Sequence, residues 1–170
     1  KALLASSPDM DFDGGKMMVV SPDEGGISRA MYYASMLGVP LGTFYKRRDY
    51  TQVVNGRNVI VAHEFLGDSV DGMDILIVDD MISSGDSMLD IARELKNRNA
   101  RRIFCAVTFG LFTDGIDHFQ KAYEEGILSR VFATNLIYRR KELLEAPWFV
   151  DVNMSKFVAL IIDAINHDSS

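Results

Sequence analysis

Cysteine is almost missing from the 170-residue chain: Cys105 is the only one. An internal disulfide framework is thereby excluded. A lone cysteine within an apolar run reads as a buried thiol in a reducing compartment, which predicts a cytoplasmic protein. No apolar run approaches ~18 residues, so no membrane span is expected. The N-terminus carries no secretory pattern. Basic charge is in deficit, with 18 Lys and Arg against 24 Asp and Glu and a net charge of −6. That balance argues against a nucleic-acid coat. The three histidines and the one cysteine fall at no zinc-binding spacing. Neither a Gly-x-x-x-x-Gly-Lys loop nor Gly-x-Gly-x-x-Gly occurs, so a nucleotide would not be held by those devices.

What is present points to one globular α/β domain over residues 1–170. Hydrophobic residues make up 48% of the chain, enough for a sizeable core. Strands are expected at Met17 to Val20, Val39 to Tyr45, Ile75 to Val78, Ile103 to Thr108 and Val131 to Thr134, with an edge strand at Trp148 to Val152. Helices are expected at Ile27 to Leu37, after Ser87, at Gly115 to Glu125 and at Met154 to Ile165. Their inward residues read as Ala30, Met31, Ala34 and Leu37 in the first and Met88, Ile91, Ala92 and Leu95 in the second. In the last they read as Phe157, Leu160, Ile161 and Ala164. Lys1 to Lys16 reads as an entering connection. Asp49 to Asp68 reads as a flap or hairpin excursion, with Asn55-Gly56 a turn signal and Val59 to Ala62 one arm. Alternating strands and helices predict a mainly parallel central sheet with helices on both faces. Ligands then sit beyond the carboxyl ends of the strands.

The densest chemistry lies in Asp74 to Ser87, DILIVDDMISSGDS. A buried strand runs into two carboxylates, Asp79 and Asp80, and then a small polar turn. Ser87 is the expected N-cap, with Asp90 completing a weak capping box. Amides opening a helix favour an anion. Ser83, Ser84 and Ser87 add hydroxyls, and Gly85 allows close backbone approach. Asp79 and Asp80 are acceptors suited to sugar hydroxyls or to a metal bound to them. Phosphate on the turn and a diol on the carboxylates describe ribose 5-phosphate. Asp86 opposes this unless it points away, and a plain helix-capping turn is the simpler alternative.

Two further stretches sit at the expected ligand end. Asp23-Glu24-Gly25-Gly26 can form an anion nest, with Asp23 able to hold Mg²⁺, or can be an ordinary turn. Lys46-Arg47-Arg48 is a cluster of cations in an acidic chain, able to offset phosphoryl charge or merely to be solvated. His63 reads as a surface-strand residue and His118 as structural within its helix.

These three stretches, in this order, resemble the C-terminal half of the ribose-phosphate pyrophosphokinases (PRPP synthetases), whose fold is that of the type I phosphoribosyltransferases. The likeness runs from about Val19 to Ile165. It implies transfer of the diphosphoryl group of ATP to ribose 5-phosphate, giving PRPP and AMP, with Mg²⁺. It implies that Asp79, Asp80 and Ser83, Ser84, Gly85, Asp86 and Ser87 bind ribose 5-phosphate. Asp23, Glu24, Gly25 and Gly26 would bind the diphosphate with metal at Asp23, and Lys46 and Arg48 would be catalytic. It also implies a homo-oligomer. Since the chain starts at Lys1, it is expected to be a piece of a longer protein that binds ribose 5-phosphate weakly and turns over negligibly on its own. Ser83 stands where the family has an acid, Asp86 where it has glycine and Phe109 where it has histidine, and Tyr50 to Arg57 reads as an insertion. Those departures leave open a catalytically silent regulatory or binding homologue; a nucleobase phosphoribosyltransferase is a third reading, which would need a base-binding hood that the sequence does not show.

Overall fold

The computed structural model describes residues 2–12, 15–54 and 57–167, and their side chains outside 46–63. In chain order the elements are helix α1 (Ala2–Ser6), strand β1 (Met17–Ser21), a 3-10 turn (Glu24–Gly26), α2 (Ile27–Leu37), β2 (Leu41–Val54) and β3 (Arg57–Leu66). Then come β4 (Asp74–Ile82), α3 (Asp86–Asn97), β5 (Arg102–Gly110), α4 (Asp117–Glu124), β6 (Arg130–Thr134), α5 (Lys141–Glu145), β7 (Phe149–Val152) and α6 (Ser155–Asn166). The strands form one sheet in the order β3-β2-β1-β4-β5-β6-β7. Every neighbouring pair is parallel except β2 and β3, which run antiparallel. The expected α/β architecture with a hairpin excursion is therefore observed.

Strands buried on both faces explain the unbroken apolar runs. Side chains alternate across the sheet. Met18, Val20, Ile75 and Ile77 face a core filled by Leu89, Ile91 and Leu95 of α3, Phe119 of α4 and Trp148. Met17, Val19, Leu76 and Val78 face the other core, under Ala30 and Ala34 of α2. Burying each large aliphatic side chain contributes roughly 1.5–3 kcal/mol. Below the sheet, at the start of β4, buried Asp74 is clamped by Arg102 (Nη2 to Oδ2, 2.7 Å) and Arg101 (Nε to Oδ1, 2.8 Å).

Several expectations change. The first residues form α1 rather than a bare connection. In α2 only Ala30 and Ala34 are buried, and Met31 is 55% exposed. No residue of α6 is buried, and Phe157 and Leu160 are 56% and 58% exposed. The helical period marks an apolar face but not what covers it, and Phe157, Leu160 and Ile161 of that face are exposed. Lys46 and Arg48 do not follow a strand end. They lie inside β2, which continues to Val54 because β3 supplies a partner ladder, Lys46 opposite His63. The Asn55-Gly56 turn lies outside the described residues.

Candidate functional site

β4 carries the site's carboxylates at its upper end. It pairs with β5 through Asp79 opposite Val107 and on to Ile82 opposite Gly110, so both acids belong to the strand. Asp79 Oδ1 accepts the Asp80 amide at 2.8 Å and Arg29 Nη1 at 3.1 Å. Asp80 Oδ1 accepts the Met81 amide at 3.0 Å, and its Oδ2 lies 3.8 Å from Arg29 Nη2. Burial pushes the Asp79 carboxyl up to about 6, helped by the negative charge of Asp80 and opposed by the Asp80 amide and Arg29. Asp80 sits below the usual carboxylate range, through its hydrogen bond with Asp79 first and then the charge of Arg29. One acid is thus half-buried and reluctant to ionise, and its exposed neighbour is firmly ionised.

After Ile82 the chain turns. Gly85 caps α3 in the left-handed region at φ 97°, and the helix starts at Asp86. Ser87 is therefore not the N-cap but the second helical residue. A Cβ at position 85 would lie 2.3 Å from the Phe119 ring, so both the backbone angle and the packing require glycine. The Ser84 hydroxyl is not a free donor. It donates to Asp86 Oδ2 at 3.2 Å, and Ser84 Oγ accepts the Asp86 amide at 3.4 Å. The Asp86 carboxylate is occupied in that way rather than by the cleft, whose lining does not include Asp86 among the described residues.

Three successive carbonyls of the turn are tied down by the segment from Leu111 to His118, which leads from β5 into α4. Leu111 N donates to Ile82 O (2.8 Å), Thr113 N to Ser83 O (3.0 Å), and His118 Nε2 to Ser84 O (2.7 Å). No described peptide bond is cis. In a trans peptide the C=O and the following N–H point in opposite directions. The amides of Ser83, Ser84 and Gly85 are therefore aimed away from that segment. Those three amides, and those of Ser87 and Met88, have no acceptor among the described residues. All five residues line a cleft of about 160 Å³ together with Pro22, Asp23, Asp79 and Ile82. Unpaired amides at a helix start favour an anion.

Pro22 and Asp23 of the loop after β1 line the same cleft. Asp23 caps the 3-10 turn, its Oδ1 accepting the Gly26 amide at 3.1 Å, and Ser21 Oγ donates to Asp23 O at 2.7 Å. The Gly26 amide is thus already satisfied and adds nothing to an anion nest. A Cβ on Gly26 would lie 2.7 Å from Ser21 Oγ, so packing against Ser21 explains that glycine. Asp23 Oδ2 has no hydrogen bond among the described residues. Mg²⁺ takes one or two carboxylates and completes its shell with phosphate and water. The hard oxygens of Asp23 and Asp79 beside one cleft fit that pattern. Among the described residues no cluster of three His, Cys, Asp or Glu could hold a metal by itself.

The structure brings Asp23, Asp79, Ser83, Ser84, Gly85 and Ser87 to one cleft. Lys46 lies three residues beyond Thr43, which pairs with Ser21, so its backbone is at the same end of the sheet. Asp79 also borders a second cleft of about 420 Å³, with Arg29, Tyr33, Thr108 and Phe132. Sequence reasoning missed Arg29. A cation in the first turn of a helix opposes the dipole, and that misfit was the available signal for a carboxylate partner. His118 was placed correctly in its helix, but nothing local showed its reach to Ser84.

Residues 2–126 match the Phosphoribosyl transferase domain family. The chain is 33% identical over 155 residues to the ribose-phosphate pyrophosphokinase of Mycoplasma pneumoniae, covering 91% of this chain and 45% of that protein. It is 33% identical over 154 residues to the enzyme of the same name from Vibrio cholerae, covering 90% and 46%. The chain thus spans about half the length of the curated relatives it matches. The crystal structure of phosphoribosylpyrophosphate synthetase from Mycobacterium smegmatis has the same fold, with a TM-score of 0.76 at 23% identity over 98% of this chain and 50% of that one. On the match across most of its length, the chain belongs to the phosphoribosyl transferase domain family.

Proposed function

We propose that the chain is the ribose-phosphate-binding half of a ribose-phosphate diphosphokinase, which transfers the diphosphoryl group of ATP to O1 of ribose 5-phosphate. The observation that carries this reading is the row of amides from Ser83 to Gly85, without an acceptor among the described residues, in residues that line one cleft with Asp23 and Asp79. The turn holds the 5-phosphate and Asp79 and Asp80 accept the ribose hydroxyls. The ribose O1 attacks the β-phosphorus of ATP, the bond from that phosphorus to the oxygen bridging the α-phosphate breaks, and AMP leaves. Lys46 and Arg48 neutralise charge on the transferring group, worth about 10³-fold or more for such cations. Asp23 to Gly25 receive the diphosphate, with Gly26 shaping the turn against Ser21 and Asp23 as ligand to Mg²⁺, which when bound offsets phosphate charge.

The exposed apolar side chains of α6, Phe157 to Ile165, support assembly with further protein surface, as a homo-oligomer, and the compartment we propose is the cytoplasm. A buried free thiol at Cys105 agrees with that compartment. Among the described residues no helix is long and apolar enough to cross a membrane. A silent regulatory homologue is the second reading. It is favoured by the Ser84 hydroxyl being spent on Asp86.

The full-length protein with ATP and ribose 5-phosphate decides. AMP release that Lys46→Ala abolishes supports the transferase. No AMP with ribose 5-phosphate still bound supports the silent homologue. Pyrophosphate released from PRPP and a base indicates a nucleobase phosphoribosyltransferase.

A further inference from the structure

We propose that His118 is the positioning residue of the anion turn: by donating to Ser84 O it fixes the Ser84–Gly85 peptide so that the Gly85 amide faces the bound phosphate. This rests on the phosphate reading of the turn. A carbonyl oxygen only accepts, so Nε2 of His118 carries the hydrogen. The other two ties, from Leu111 and Thr113, are backbone amides and survive most substitutions. Among the described residues His118 is the only side chain from outside the turn that holds one of its carbonyls, and it does so at the Ser84–Gly85 peptide.

The neighbouring packing fixes the ring. His118 and Phe119 lie with centroids 4.9 Å apart, and Phe119 closes off the space behind Gly85. Position 85 is glycine, the residue with the widest backbone freedom. Without the tie, the Ser84–Gly85 peptide can rotate and turn its carbonyl oxygen toward the anion. Donation to a carbonyl also polarises the peptide and strengthens its N–H as a donor. One side-chain hydrogen bond thus sets the direction and the strength of the Gly85 contact.

The test compares His118→Gln, which keeps a donor, with His118→Met, which has similar length and none. Binding of ribose 5-phosphate and of inorganic phosphate is measured by calorimetry, with thermal unfolding as a control. His118→Met is expected to bind both about tenfold more weakly, the loss of one net hydrogen bond, while His118→Gln stays near wild type. Wild-type affinity in His118→Met, or equal weakening in both variants, overturns the positioning role and leaves the phosphate reading intact. The wild-type Gly85 amide resonance supplies a readout that needs no variant. A shift of that resonance on adding phosphate supports the proposal. No shift and no binding overturns the phosphate reading and this inference with it.

Discussion

The guanidinium of Arg29 lies 3.1 Å from Asp79 and 3.8 Å from Asp80, joining the first turn of α2 to both carboxylates of β4. It is the counter-charge that lets two adjacent acids stay close together.

Asp79 must be ionised to act purely as an acceptor for sugar hydroxyls. Burial, with Asp80 adding to it, raises its pKa to about 6. Ribose 5-phosphate affinity is expected to be full above that pH and to fall as pH drops through it, approaching about tenfold per unit. The ligand's own phosphate titrates nearby, so the comparison is with Asp79→Asn, which loses this part of the slope. Arg29→Met moves the midpoint to higher pH, and Arg29→Lys restores most of it. For stability the sign is opposite. A carboxyl whose pKa is raised in the folded state contributes stability below its unfolded value of 3.8, and that is lost as pH rises through about 6. Asp79→Asn is therefore expected to gain thermal stability relative to wild type at pH 7.5 and not at pH 4.

Gly85→Ala is expected to lose about 1–2 kcal/mol from the left-handed backbone alone, and more from the overlap with Phe119. Urea denaturation measures the loss. Gly85→Ala combined with Phe119→Leu, read as a double-mutant cycle, recovers the overlap part but not the backbone part.

Asp74 is remote from the cleft, at the other end of β4. Burial alone would raise its pKa, and the hydrogen bonds from Arg102 and Arg101 outweigh that, so it lies below its ordinary value. Its stabilisation is present above pH 3.8 and lost as pH falls further. Asp74→Ala is expected to cost about 3 kcal/mol, the low end for breaking a buried pair because both arginines reach water. Phosphate affinity of the folded variant stays unchanged.

No three acids converge on one point among the described residues. Mg²⁺ alone is therefore expected to raise the melting temperature by less than about 1 °C at millimolar concentration, since stabilisation by a ligand grows only when its concentration exceeds Kd. Mg²⁺ with diphosphate is expected to raise it by several times as much. Asp23→Ala abolishes that difference, and it leaves the ribose 5-phosphate response of the turn in place.

The sheet was legible because strands buried on both faces write continuous β-branched runs, as in Ile75 to Val78. The core face of α3 was legible from helical spacing. The polar stretch from Asp49 to Arg57 gave no strand pattern, since pairing of β2 with β3 is a tertiary event. Ser87 looked like a cap because hydroxyls usually cap helices, but the left-handed Gly85 against Phe119 starts α3 earlier. Met31 and the α6 residues carried the right period and no information on their cover. Asp79, Asp80 and the turn were found from composition. What makes the turn an amide cradle was not, because Leu111, Thr113 and His118 reach it from about thirty residues away.

Phe119 stacks on Trp148 with centroids 5.4 Å apart and also packs against Phe112. The curve of the ligand-binding loop is thus moulded by an aromatic cluster that never meets the ligand. Position 85 can acquire a side chain only after position 119 has shrunk, so the two sites are bound to vary in that order. A small ring shift caused by a change at Trp148 would register in solution as a change in grip on an anion, with no contact residue altered.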